Sequence, residues 1–190
     1  MIALIGLLIL LIVAAVIILV VAVVIIYNKL VRLRNGCEGA WSDVDVQLQR
    51  RYDLIPNLVE TVKGYAAHEK TTFEEVTKAR QQAINITGDV AAKAQAENFL
   101  TQTLRSLFAL SENYPELKAN ENFLSLQSEL AEIEEKIQLA RRYYNAITLE
   151  NNNAIQVFPS NIIANWFRFL RRDFFELEEP EARQAPKVEF

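Results

Sequence analysis

Two hydrophobic patterns divide the chain. From Ile2 to Ile26 there is no alternation: the run holds only Ile, Leu, Val, Ala and one Gly, and no Lys, Arg, Asp or Glu precedes Lys29. Beyond it, apolar residues return every three or four positions with charged residues between, the repeat of helices that bury one face. As a helix the apolar run measures roughly 37 Å, enough to cross a hydrocarbon layer of about 30 Å with some tilt. A cleavable signal peptide fits poorly, because a basic n-region and a small-residue cleavage site are missing and the run is too long. Residues 1–28 therefore read as a retained single-span anchor. Tyr27 stands where an interfacial aromatic is expected, and Lys29, Arg32 and Arg34 follow the span directly. Their charge predicts an outside N-terminus and a cytoplasmic domain from residue 27 onward.

Four helical blocks follow. The first, residues 29–66, continues the span and carries Trp41, Val44, Leu48, Arg51, Ile55, Leu58, Val62 and Tyr65 on one seam, with a bend expected at Asn35 and Gly36. The second, residues 73–84, repeats Phe73, Val76, Ala79 and Ala83, with Thr71 or Thr72 as N-cap and Thr72 to Glu75 at capping-box spacing. Thr87-Gly88-Asp89 leads into a third block over residues 89–113 with Leu100, Leu104 and Leu107 as core positions. Pro115 suits the first turn of a fourth block. There Phe123, Leu126, Leu130, Ile133, Ile137, Ala140, Tyr144 and Ile147 form an uninterrupted stripe, which Asn151-Asn152-Asn153 is expected to end. Glycine and proline number only five each, too few for the turns of a strand-rich domain. The pattern predicts an all-α protein: a transmembrane helix continuing into an elongated antiparallel bundle of about four helices over residues 29–155, then an aromatic amphipathic segment and extended tail over 156–190.

One stretch of the first seam is unusual: RRYDLIPNLVETVKGY, residues 50–65, containing Arg50, Arg51, Asp53, Pro56 and Asn57. Pro56 lacks the amide that would bond the Tyr52 carbonyl, which predicts a kink over residues 52–56. Arg51 falls on the seam, where an unpaired charge is costly, so a carboxylate partner is required. Asp53 is the local candidate, and Glu134 or Glu135 the candidates across the bundle. Asn57 is available to backbone groups freed at the proline. These features point to register and bending, not catalysis.

The C-terminal part differs in composition. Ile162, Ile163, Trp166, Phe167, Phe169, Leu170, Phe174 and Phe175 crowd into fourteen residues, interrupted by Arg168, Arg171 and Arg172. Ser160 is placed to cap a short helix after Pro159, and Pro180 and Pro186 make the end extended. Ile163, Trp166, Phe167, Phe169, Leu170 and Phe174 are candidates for assembly or membrane contact. The pattern allows three fates: packing on the bundle, insertion among lipid headgroups, or docking on a neighbouring copy.

Composition narrows the chemistry. The 190 residues carry a net charge of −4, all on side chains after the span, which gives no support to nucleic-acid binding. Cys37 is the only cysteine and His68 the only histidine. His68 has no companions at metal-ligand spacing and reads as a helix-end residue, and Cys37 has no activating base at a legible spacing. No phosphate-binding glycine loop or nucleophile elbow is present, and the carboxylates lie along a solvated helix face. No enzyme activity, cofactor, metal or small-molecule substrate is expected.

YNKLVRLRN, AWSDVDVQLQRRYDLIPNLVETVKGY, HEK, FPSNIIANWF and the terminal PKVEF resemble the LemA family of bacterial membrane proteins. The resemblance covers nearly the whole chain after the anchor, and Cys37 departs from an aliphatic residue usual in the family. It implies an anchored antiparallel helical bundle of the bacterial inner membrane without an established catalytic activity. The resulting expectation is a scaffold that self-associates at the inner membrane and organises or shapes it, with membrane lipid and further copies of the chain as partners. The alternative is an adaptor that holds another membrane protein, such as a protease or an envelope-stress partner.

Overall fold

The structure, a computed structural model, describes residues 2–176, with side chains from Leu4. The extended tail expected around Pro180 and Pro186 lies outside the described residues. Among the described residues six helices follow one another: α1 (Ile2–Lys63), α2 (Lys70–Asn85), α3 (Val90–Ser111), α4 (Pro115–Lys118), α5 (Glu121–Gln156) and α6 (Ser160–Trp166). The described residues contain no strand. Contacts divide the chain into two compact units. One comprises the described part of Met1–Trp41 with Asn145–Arg172, the other Ser42–Tyr144 with the described part of Asp173–Phe190.

In the first unit α1 begins with an apolar stretch long enough to cross a membrane, none of it buried by the protein itself. Exposed side chains that are almost all Leu, Ile and Val are stable only against a solvent that is itself apolar. Further along, α1 runs unbroken through Asn35 and Gly36. Antiparallel α5 packs there: Leu30 meets Ala154 and Ile155, and a Cβ on Gly36 would stand 3.4 Å from Ile147. Small Cys37 and Ala40 are buried on the same face, one turn apart, which lets the two backbones approach closely. α6 folds back onto this pair, adding Ile163 and Ala164 to a core that Val23, Ile26, Leu33 and Phe169 border.

The Asn151-Asn152-Asn153 run does not end α5, which continues to Gln156. Asn151 and Asn152 point inward, and the Asn152 amide bonds both the carbonyl (2.8 Å) and the N–H (2.9 Å) of Arg172. A side chain supplying those bonds is satisfied in a helix interior, so its low propensity is overridden. Ser160 also departs from expectation. Rather than capping α6 it is that helix's first residue, and its hydroxyl lies within hydrogen-bond distance of the Ala154 (2.6 Å) and Val157 (2.9 Å) carbonyls, the latter also accepting from the Asn161 N–H.

In the second unit α1, α2, α3 and α5 alternate in direction. The α1 seam is buried at Val44, Leu48, Arg51, Ile55, Leu58 and Val62, α5 buries Phe123, Leu130, Ile133, Ile137 and Tyr144, and Phe123 packs on Phe108 of α3. α2 starts at Lys70 and uses no side-chain cap, so the expected Thr72–Glu75 box is absent: both residues already lie inside the helix. Gly88 takes a left-handed φ of 80° that suits glycine, and Asp89 then caps α3 by accepting from the Ala92 N–H at 2.9 Å. Pro115 opens the separate single turn α4 instead of the long helix. Asn120 caps α5, accepting from the Phe123 N–H and donating to the Tyr65 hydroxyl, each at 3.0 Å.

Candidate functional site

Two places concentrate polar chemistry or unused apolar surface. The first is the seam arginine of the second unit. Arg51 is only 1% exposed, and its guanidinium donates to Glu97 Oε2 (3.1 Å) and to Thr101 Oγ1 (2.8 Å). Its Nε lies 3.0 Å from Glu134 Oε1, an ion pair in which the N–H is not aligned as a hydrogen bond. Glu97 is fully buried and also accepts from the Tyr52 hydroxyl. Burial pushes the Glu97 carboxyl above its ordinary range even though Arg51, Tyr52 and Lys93 pull it down. Burial and the neighbouring carboxylate likewise raise the Tyr52 phenol, so it stays protonated and donates. Lys93, buried as well, donates to the Ala83 carbonyl at 2.9 Å and stands 5.2 Å from the Tyr52 ring centre.

The same unit resolves the proline. α1 continues helically through Pro56, and the Tyr52 carbonyl it deprives of an amide accepts from Arg80 Nε at 2.7 Å. Asn57, expected to serve that purpose, is exposed, and its carbonyl accepts from Thr61 instead. Asp53 is exposed and accepts from Gln49, and Arg50 is exposed. Of the partners expected for Arg51, Glu134 is the one in contact, and Glu97 is added.

Glu97, Arg80 and Lys93 were missed because charged residues were assigned to the solvated faces. The periodicity held the signal: Lys93, Glu97, Leu100, Leu104 and Leu107 keep four-three spacing, as do Phe73, Val76, Arg80 and Ala83. Beside Arg51 lies a cavity of about 290 Å³ lined also by Thr101, Arg105, Glu134, Gln138 and Arg141. The Thr101 hydroxyl in that lining accepts from Arg51. His68 is exposed in the turn after α1, and no metal-holding group of His, Cys, Asp and Glu occurs among the described residues.

The second place is the α6 end of the first unit. Tyr27 packs on Phe167 (ring centres 4.7 Å apart) and on Phe169 (5.9 Å). Arg34 stands 5.7 Å over the Phe169 ring and is exposed, as are Lys29 and Arg32. The aromatic segment divides. Ile163 is buried in the unit's own core, so it does not lie on a contact surface, and Phe169 is half-buried. Trp166 (80%), Leu170 (81%) and Phe158 (78%) are exposed, with Phe167 and Ile162 about half so. In the second unit Phe174 is half-buried and Phe175 buried, while the Tyr144 hydroxyl donates to the Asp173 carbonyl at 2.9 Å. Cys37 is buried, which raises its thiol pKa, with Thr148 as hydrogen-bond partner.

A family model described as LemA family matches residues 40–190. Protein LemA of Metamycoplasma hominis is 26% identical over 154 residues, which cover 81% of this chain and 70% of that protein. Magnetosome protein MamQ 2 of Paramagnetospirillum magneticum and magnetosome protein MamQ of Magnetospirillum gryphiswaldense are each 25% identical over 179 residues, covering 81% of this chain and 65% of theirs. The chain thus spans just under two thirds of the magnetosome relatives. None of these names describes an enzyme.

Proposed function

The chain belongs to the LemA family, and from that premise we propose that it is a non-enzymatic scaffold of the bacterial inner membrane that self-associates and so organises or shapes the bilayer. The observation that carries the reading is the exposed apolar surface of Phe158, Trp166 and Leu170, in and beside α6, whose Ile163 and Ala164 pack with the α1 residues that end the apolar run. A patch of that kind on a soluble surface is costly, and it marks contact with lipid or protein. Inserted at the headgroup level beside the span, it acts as a shallow wedge in one leaflet. Leu139 and Tyr143, exposed one turn apart on α5, supply apolar surface for lateral contact between copies. The names of the magnetosome relatives agree with a role in membrane compartments. Lys29, Arg32 and Arg34 favour a cytoplasmic domain and an outside N-terminus.

The test is the mass of the full chain extracted directly from the membrane into lipid discs at native density. Assemblies of several chains are expected, and strictly monomeric particles would overturn self-association. Crosslinking in cells discriminates further: crosslinks between copies support the scaffold, whereas one dominant foreign membrane protein would replace it with an adaptor.

A further inference from the structure

The α6 end closes in an unusual way. The Phe169 N–H bonds the Ala164 carbonyl (2.9 Å) and the Arg168 N–H bonds the Asn165 carbonyl (3.3 Å), the double closure of a Schellman motif. The first residue past the cap, which donates the second of these bonds, must be left-handed, and glycine is favoured there because a Cβ is strained. This chain places Arg168 there, at φ 56°. The guanidinium joins Arg34, Arg171 and Arg172 around a cavity of about 340 Å³ that Phe167 and Leu170 also line. Arg172 is paired with Glu38 at 2.8 Å, but among the described residues no carboxylate pairs with Arg34, Arg168 or Arg171.

Charge is segregated accordingly. The first unit holds six cationic side chains (Lys29, Arg32, Arg34, Arg168, Arg171 and Arg172) against Glu38 and Glu150, a net charge of +4 in a chain whose total is −4. The cavity also has a fixed depth relative to the span. Phe167 and Phe169 rest on Tyr27, directly after the apolar run, and Val23 and Ile26 within that run border the core beneath α6. A basic recess at that height, flanked by exposed Trp166 and Leu170, faces phosphates on one side and acyl chains on the other.

We propose that this recess binds the phosphate of an anionic phospholipid in the leaflet next to Tyr27, with Trp166 and Leu170 inserted among the neighbouring acyl chains. The inference rests on the membrane-anchored part of the functional reading and is independent of self-association. Arginine suits the role because its planar fork meets phosphate oxygens in pairs and stays charged at every accessible pH.

The experiment uses the full chain in lipid discs, with Trp41→Phe leaving Trp166 as the only tryptophan. Phosphatidylglycerol or phosphatidylcholine with brominated acyl chains is supplied at equal mole fraction, and quenching of Trp166 emission is read. Stronger quenching by the anionic lipid is expected. Arg168→Gly, which relieves the left-handed strain and so preserves the fold, should lower the preference about fivefold, the value of one cation near an anionic surface. Equal quenching by the two lipids, or an undiminished preference in Arg168→Gly, would overturn the site. So would an equal loss in Arg32→Gln, whose side chain does not line the cavity, because the effect would then be diffuse surface charge. Reversal by soluble glycerol phosphate would assign the recess to a free phosphate and overturn the lipid. A chain that fails to enter the discs at all would refute the anchor itself, an outcome distinct from these.

Discussion

Arg51→Met removes the cation from Glu97 while keeping the volume of the seam position. The fully buried carboxylate then loses its main counter-charge, and breaking such a pair typically costs about 3–5 kcal/mol. Protonation limits the loss. With an ordinary pKa of 4.5, neutralising Glu97 costs about 3 kcal/mol at pH 7 and under about 1 kcal/mol at pH 5. The substitution should therefore be less damaging at pH 5 than at pH 7, by at most about 2 kcal/mol, because the wild-type carboxyl also binds its proton more tightly than the unfolded chain does over that interval. For a chain of this size each kcal/mol moves the melting temperature by about 2–4 °C, so a fall of about 6–12 °C is expected at pH 7. Thermal unfolding followed by circular dichroism in mild detergent at both pH values measures this, with exposed Arg50→Met as control. Arg51→Met/Glu97→Gln should recover most of the loss, since a neutral amide still accepts from Tyr52. A loss at pH 7 no greater than that of Arg50→Met, or one identical at the two pH values, would refute the reasoning.

Other consequences test separate parts of the structure. Arg80→Met should cost about 1.5–3 kcal/mol, because the Tyr52 carbonyl loses a charged donor. In a Pro56→Ala background the new amide reaches that carbonyl, so a double-mutant cycle should show the Arg80 loss reduced by about half. Ile163→Ala should destabilise the first unit by about 2–5 kcal/mol, whereas Trp166→Asp/Phe167→Asp should leave helicity intact and weaken membrane contact or assembly. Vesicle flotation beside circular dichroism separates the two, and loss of helicity in the double aspartate variant would make these residues core. Glu97 has its pKa raised by folding, so the folded state holds its proton more tightly than the unfolded chain. Its contribution is fully present below about pH 4.5 and is lost as pH rises through the folded value, and Glu97→Gln should flatten that slope in a melting-temperature profile.

The sequence by itself determined whatever depends on neighbours along the chain. The anchor follows from length and the absence of charge, the helices and their buried faces from three-four spacing, and the need for an Arg51 partner from one cation on an apolar stripe. Tertiary structure decided which polar groups meet. Glu97 and Thr101 reach Arg51 from α3, 46 and 50 residues away, and Arg80 reaches the Tyr52 carbonyl from α2. Periodicity reports which face a helix buries, but not its rotation and height against another helix, and those set every cross-helix pair. Asn152 shows the same limit: its helix-breaking character is local, while the Arg172 backbone that satisfies it comes from 20 residues further on. The aromatic segment was legible as a cluster and not as two faces. Ile163 and Trp166 lie three residues apart with similar hydrophobicity, and only the packing of α6 on α1 buries one and leaves the other facing outward.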